Sequence, residues 1–200
     1  IQKPRDITTK QAAAAVGQCE LMYIYDRLFG QYNHTVAQML LTWEDFDHEN
    51  RLHNLRNTLE RLLELGAIPI INENDTISTE EIAVGDNDTL SAVVAATTRA
   101  ELLILLSDID GLYDSDPHQN PDAKLIHEVS EIDEKILSLA GGSGSELGTG
   151  GMVTKLHAAQ IATEAGCEMV IANGWNPDLL YGIVEGEPIG TRFLAKKVSK

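Results

Sequence analysis

The chain has 200 residues, with 15 Lys and Arg set against 31 Asp and Glu, for a net charge of −16 at neutral pH. Hydrophobic residues make up 43% and charged residues 23%, a mixture that suits one sizeable buried core in one domain or two small lobes. No apolar run approaches the ~18 residues that cross a bilayer, the first residues read without a secretory leader, and the acidity argues against a nucleic-acid surface, which needs clustered Lys and Arg.

Ile7 to Phe29 reads as a helix, capped by Asp6 or Thr8 and rich in alanine over Ala12–Ala15. Val36–Leu41 is a near-continuous apolar run and a strand candidate. Asp47 to Leu65 is a charged amphipathic helix, with Leu52, Leu55, Leu59, Leu62 and Leu63 at helical spacing and Gly66 as its stop. Ala67–Ile71 follows as a buried strand, Asp88 to Arg99 as a helix and Leu102–Leu106 as a second fully apolar strand. Ile132 to Leu139 and Met152 to Ala165 read as helices, Met169–Ala172 as a third apolar strand. A helix near Asp178–Val184 and a strand near Arg192–Leu194 complete the pattern.

Strands that alternate with helices and are apolar along their whole length imply an α/β fold. The expected architecture is a three-layer sandwich, a mainly parallel sheet covered by helices on both faces. Ligands in such folds bind beyond the carboxyl ends of the strands. Chemistry is therefore expected in Asn72–Asp75, Ser107–Tyr113 and Asn173–Trp175. The opening is unusual for this class, since the chain starts almost directly with a helix. The expectation is that an N-terminal strand–loop–helix unit is missing from this sequence.

The segment from Gly148 to Lys155, Gly-Thr-Gly-Gly-Met-Val-Thr-Lys, leads into a helix. Its glycines let backbone approach a ligand closely, and a helix start offers unpaired N–H groups to an anion. Thr149 and Thr154 add hydroxyls, and Lys155 sits about one turn in, within reach of a terminal phosphate. Neither the Walker A pattern nor the dinucleotide fingerprint is present. A flexible loop with a solvated lysine is the alternative.

Gly85-Asp86-Asn87-Asp88 opens another helix. Capping is the simpler account of this segment taken alone, although one cap needs only one such residue. Asn72-Glu73-Asn74-Asp75-Thr76 is either a polar turn or, at the end of a strand, a site for the ammonium and carboxylate of an amino acid. Thr76 to Val84 would then be an acidic loop over that site. Ser107-Asp108-Ile109-Asp110-Gly111-Leu112-Tyr113 again follows an apolar strand, with Ser107 and Asp108 placed to contact a nucleotide. The aspartates that continue through Asp116 lack the calcium-loop spacing.

His34, His48, His53, His118, His127 and His157 show no metal-ligand spacing and read as surface or satisfied residues. Trp43 and Trp175 read as packing residues rather than base-stacking platforms. Cys19 and Cys167 form neither a disulfide framework nor a zinc motif, as in a reducing cytosol.

Together these segments resemble the amino-acid kinase family. The resemblance runs from Lys10-Gln11-Ala12 to Gly190-Thr191. It rests on Pro69–Asp75, Gly85–Asp88, Ser107-Asp108-x-x-Gly111-Leu112-Tyr113 and Gly148–Lys155, in the family's order. The pairing of Asn-Glu-Asn-Asp with Gly-Asp-Asn-Asp points to the members that phosphorylate glutamate.

The resemblance implies ATP-dependent phosphorylation of the γ-carboxylate of L-glutamate, the first step of proline biosynthesis. Asp75 and Asn87 would bind L-glutamate, with Asn72 close by. Ser107 and Asp108 would contact ATP, as would Thr149, Gly150, Gly151, Met152, Val153, Thr154 and Lys155. Lys155 would stabilise the transferring phosphoryl group, and Asp88 would organise the catalytic lysines. ATP and Mg²⁺ are the implied cofactors, with no residue assigned as a direct metal ligand. Proline is the implied feedback inhibitor, and a homo-oligomer, dimer or tetramer, in the cytoplasm is the implied state. No nucleic acid or membrane partner is implied.

A single kinase domain is expected over 1–200, with a substrate-binding part to about residue 100 and a nucleotide-binding part after it. The family's N-terminal strand, its first lysine loop and its serine loop would precede Ile1, about 60 residues by analogy with family organisation. The family's C-terminal PUA domain has no counterpart here, as in a short form. The rival readings are another member of the family (acetylglutamate kinase, aspartokinase or, less well, uridylate kinase) and a non-catalytic amino-acid sensor.

Overall fold

The computed structural model describes residues 6–77, 87–117, 119–140 and 151–196, which fall into two compact units, Ile1–Val84 and Gly85–Lys200. The first unit opens with α1 (Ile7–Gly30). Asp6 caps it by accepting from the Thr9 N–H at 2.8 Å, and that bond holds the Asp6 carboxyl below its ordinary pKa. The helix then packs against β1 (Thr35–Leu41).

The helix expected over Asp47–Leu65 is present to within two residues, and a short helix not expected from the sequence stands before it. This α2 (Glu44–Asp47) is followed by α3 (Glu49–Glu64), with His48 extended between them. The reason lies in Asp45, whose carboxylate accepts from the Thr42 N–H at 2.7 Å, the Thr42 hydroxyl at 3.0 Å and Arg51 at 3.1 Å. That set of bonds closes a separate turn before α3 begins. On α3, Leu55 and Leu59 are buried while Leu63 points outward, 60% exposed. Gly66 ends the run at φ +73°, and β2 (Ala67–Glu73) pairs with β1 in parallel, from Thr35 opposite Ala67 to Leu41 opposite Glu73.

In the second unit, α4 (Asn87–Thr98) leads to β3 (Leu102–Ser107). The excursion that follows ends in β4 (Glu128–Val129), a short strand not expected from the sequence, and then α5 (Glu134–Ala140). Next come α6 (Met152–Glu164), β5 (Glu168–Asn173), α7 (Leu179–Glu185) and β6 (Thr191–Phe193). The strands lie in the order β3-β5-β6-β4. β3–β5 and β4–β6 are parallel, and β5–β6 is antiparallel.

β5 shows why its sequence is apolar throughout. Met169 and Ile171 join a core with Ala92 and Ala95 of α4 and Leu156, Ala159 and Ala162 of α6. Val170 and Ala172 face the other way, onto Ile183 and Leu179 of α7. Helices thus cover both faces of this sheet, as expected, and each fully buried large side chain contributes roughly 1.5–3 kcal/mol. Small residues on α4 and α6 allow the two helices to pack closely. Cys167, at 1% exposure, lies in the same core, and burial pushes its thiol pKa up.

The excursion after β3 is closed by one buried hydroxyl. Thr191 Oγ1 accepts from the Leu112 N–H at 2.8 Å and donates to the Ile126 carbonyl at 2.6 Å. Both ends of the excursion are thereby tied to the start of β6. Gly111 sits against that hydroxyl at φ +152°, a space that a Cβ would fill. Asp114 accepts from the Lys124 N–H at 2.9 Å and Asp116 from the Gln119 amide at 2.9 Å. These aspartates thus shape the loop, and no group of three or more metal-ligating side chains occurs among the described residues. No described helix is long and apolar enough to cross a membrane.

Candidate active site

Two helix starts carry the most distinctive chemistry, and both lie in the second unit. α4 places Asp88 in its first turn, where a carboxylate suits the positive end of the helix. α6 begins at the N-cap Gly151, which makes no side-chain cap bond, and places Lys155 one turn in. A cation there opposes the helix dipole, so its position requires an anion to hold it.

Asp88 supplies that anion across 67 residues of sequence. Lys155 Nζ donates to Asp88 Oδ2 at 2.8 Å, and the Thr154 hydroxyl lies 3.1 Å from the same oxygen and 2.9 Å from the Gly151 carbonyl. The Lys155 and Asp88 side chains are 12% and 18% exposed, so solvent screens the pair far less than a surface ion pair. Lys155 is thus held at the N-terminal end of α6, where backbone N–H groups also favour an anion.

The remaining glycine-loop positions divide. Gly151 and Val153 are exposed, and Met152 and Thr154 are partly buried at the start of α6. Gly148, Thr149 and Gly150 lie outside the described residues, as do Gly85, Asp86, His118 and residues 78–84 of the acidic loop.

A second cluster lies at the carboxyl ends of β3 and β5. Ser107 donates to Asp108 at 3.1 Å, and the Ser107 carbonyl accepts from the Gly174 N–H at 2.7 Å. Asp110 accepts from the Asn173 amide at 2.7 Å and from the Tyr113 hydroxyl at 3.1 Å. Burial, with the Asp110 carboxylate adding to it, raises the Tyr113 pKa. Asn173 Oδ1 in turn accepts from the Trp175 N–H at 3.0 Å.

Asp110, Asn173 and Trp175 fall in segments where the sequence reading expected chemistry, but it gave none of the three a binding role. Trp175 corrects it outright, being 85% exposed rather than packed. The available signal was the position of Asn173-Gly174-Trp175 directly after a fully apolar strand. Trp43 does pack, with its ring 5.8 Å from that of Phe46. The described histidines, His34, His48, His53, His127 and His157, are all exposed.

The expected glutamate residues are spread over the two units. In the first, Asn72 is the penultimate residue of β2, accepting from the Glu73 N–H at 2.9 Å and donating to Gln18 of α1 at 3.1 Å. Asp75 is exposed in the turn that follows, where Asn74 binds the Thr76 hydroxyl and the Ile77 N–H. Asn87, in the second unit, is exposed at the start of α4.

A family model described as the amino acid kinase family matches residues 2–173. The chain is 56% identical to the glutamate 5-kinase of Clostridium perfringens, with 98% of this chain and 74% of that protein aligned. It is 50% identical to the glutamate 5-kinase of Listeria monocytogenes, over 98% of this chain and 72% of that protein. Among solved structures, the carbamate kinase of Giardia lamblia bound to AMP-PNP shares the fold with a TM-score of 0.62 and 17% identity, over 95% of this chain and 79% of that one. With the family model spanning most of its length, and identity of this order along nearly all of it, the chain belongs to the amino acid kinase family.

Proposed function

We propose that the chain transfers the γ-phosphoryl group of ATP to the γ-carboxylate of L-glutamate, giving γ-glutamyl phosphate and ADP, the first step of proline biosynthesis. The observation that carries this reading is the 56% identity to a glutamate 5-kinase along nearly the whole chain.

A glutamate carboxyl group has an ordinary pKa of ~4.3 and is already ionised at neutral pH, so it needs no general base. The obstacle is repulsion between an anionic nucleophile and an anionic phosphate. In the proposed step a γ-carboxylate oxygen attacks the γ-phosphorus in line, and the bond to the ADP oxygen breaks with its electron pair leaving on ADP. Lys155 and the backbone N–H groups at the start of α6 offset the charge that gathers on the phosphoryl oxygens. Asp88 positions Lys155 and takes no proton.

Ser107, Asp108, Gly151, Met152, Val153 and Thr154 are proposed on the nucleotide side, with Thr149 and Gly150. Asn72, Asp75 and Asn87 are proposed on the glutamate side. The substrate is Mg·ATP. Mg²⁺ is commonly held by phosphate oxygens, water and one or two carboxylates.

Within the same proposal, residues to about 100 serve glutamate and later residues serve ATP, in the cytoplasm. Proline acts as feedback inhibitor because it is the end product of the route. Self-association into a dimer or tetramer belongs to the same proposal.

The test is ADP release with Mg·ATP across L-glutamate, acetylglutamate, aspartate and UMP, with hydroxylamine present to trap an acyl phosphate. A glutamate-dependent hydroxamate is expected. Release with another acceptor alone overturns the substrate, and glutamate or proline binding without turnover favours a sensor.

Asp88→Asn separates positioning from proton transfer. It replaces the ion pair with Lys155 by a bond from the ammonium to a neutral amide oxygen, a loss of about 1.5 kcal/mol, so turnover falls roughly tenfold. The shape of the pH–rate profile is expected to persist. A profile that loses its acidic limb would make Asp88 a base.

A further inference from the structure

We propose that Trp175 is a platform on which the nucleotide base stacks, held in place by Asn173 and Asp110. The inference rests on the ATP reading of Ser107 and Asp108 and adds the side chain that reads the base.

Trp175 is 85% exposed, more than any other large hydrophobic residue described. An indole this open leaves a large apolar surface in water, and an indole is also the best side chain for covering the flat face of a base. It stands just past the carboxyl end of β5, where ligands of parallel α/β sheets bind. Ser107 is the register partner of Asn173, and the Gly174 N–H donates to the Ser107 carbonyl at 2.7 Å. The indole thus hangs from the residue next to the pair that the ATP reading uses.

The backbone beneath it is pinned. Asn173 Oδ1 accepts from the Trp175 N–H at 3.0 Å, while Asn173 Nδ2 donates to Asp110 at 2.7 Å. The second Asp110 oxygen accepts from the Tyr113 hydroxyl at 3.1 Å. Gly174 lies close to the neighbouring strand, where an added Cβ would stand 3.3 Å from Leu106 Cβ and 3.4 Å from the Ser107 carbonyl. A fixed backbone that carries an uncovered aromatic ring is the arrangement of a stacking platform. A residue in place only to fill the core would be turned inward.

Trp43 and Trp175 are the two tryptophans of the chain, so Trp43→Phe leaves Trp175 as the single indole reporter. Saturating Mg·ADP is expected to quench its emission, and Mg·tripolyphosphate, which carries no base, to leave it unchanged. Trp175→Ala is expected to raise KM for ATP roughly tenfold with kcat and KM for glutamate within twofold, and Trp175→Phe to restore most of that loss. ADP binding seen by calorimetry without quenching overturns the platform, as does equal quenching by tripolyphosphate or an unchanged KM for ATP in Trp175→Ala. Quenching by ADP alone in a chain that phosphorylates no acceptor sustains the platform and overturns the catalytic reading instead.

Discussion

Replacing Lys155 by alanine is expected to lower glutamate-dependent turnover by about 10²- to 10³-fold, the usual cost of losing one electrostatic contact to a developing charge, roughly 3–4 kcal/mol. The hydroxamate assay at saturating ATP and glutamate measures it. The loss should fall on kcat and kcat/KM alike, because the contact strengthens as charge gathers in the transition state. Asp88 complicates the reading, since Lys155→Ala strips it of its 2.8 Å partner in a partly buried setting. Leaving a buried charge without that partner costs up to about 3–5 kcal/mol of stability. The double variant Asp88→Asn, Lys155→Ala removes that penalty and separates the two effects. If folding recovers in the double variant while turnover stays low, Lys155 acts on the reaction. Near-normal turnover in a folded Lys155→Ala chain would overturn its role.

Gly190→Ala is expected to cost roughly 3 kcal/mol of stability, lowering the urea midpoint by about 1–2 M. Gly190 precedes β6 at φ +67°, where an L side chain is strained, and its added Cβ would collide with the Ile171 carbonyl. Backbone cannot yield there without pulling β5 and β6 apart. Gly186→Ala is the control, with φ +86° and open space around the added Cβ. It carries the conformational cost alone, about 1 kcal/mol. Equal losses in the two variants would show that the contact with Ile171 is not what Gly190 is for.

The distance between Gly190 and Ile171 along the chain is also a measure of what a sequence can reveal. Local chemistry marked most elements within a few residues. Asp6 caps α1, Gly66 ends α3, and the unbroken apolar runs became β3 and β5. These signals depend on near neighbours and on whether a strand has one buried face or two, so they survive without the fold. The sequence reading missed elements too short to carry a period. Asp45 gathers Thr42 and Arg51 and closes the four-residue α2 before α3 begins. β4 is too short to carry a periodic signal and exists because β6 pairs with it.

The site divides along the same line. The places of Asn72–Asp75, Ser107-Asp108 and the start of α6 at Gly151 were legible because they follow apolar strands or open a helix. That Asp88 is the carboxylate facing Lys155 was legible only through resemblance, since 67 residues separate them. The close packing of α4 on α6, through Ala92, Ala95, Leu156 and Ala159, turns that separation into 2.8 Å. Trp175 is the converse case. By composition a tryptophan belongs in the core, and only the tertiary structure leaves its ring uncovered.

The α/β class and the order of the main elements could be read from the chain alone, because periodicity and caps are properties of neighbouring residues. The antiparallel pairing of β6 with β5, the 2.8 Å approach of Asp88 to Lys155 and the exposure of Trp175 came only with the folded chain. Each of these depends on which surfaces meet, and that is settled by packing between residues far apart in the chain.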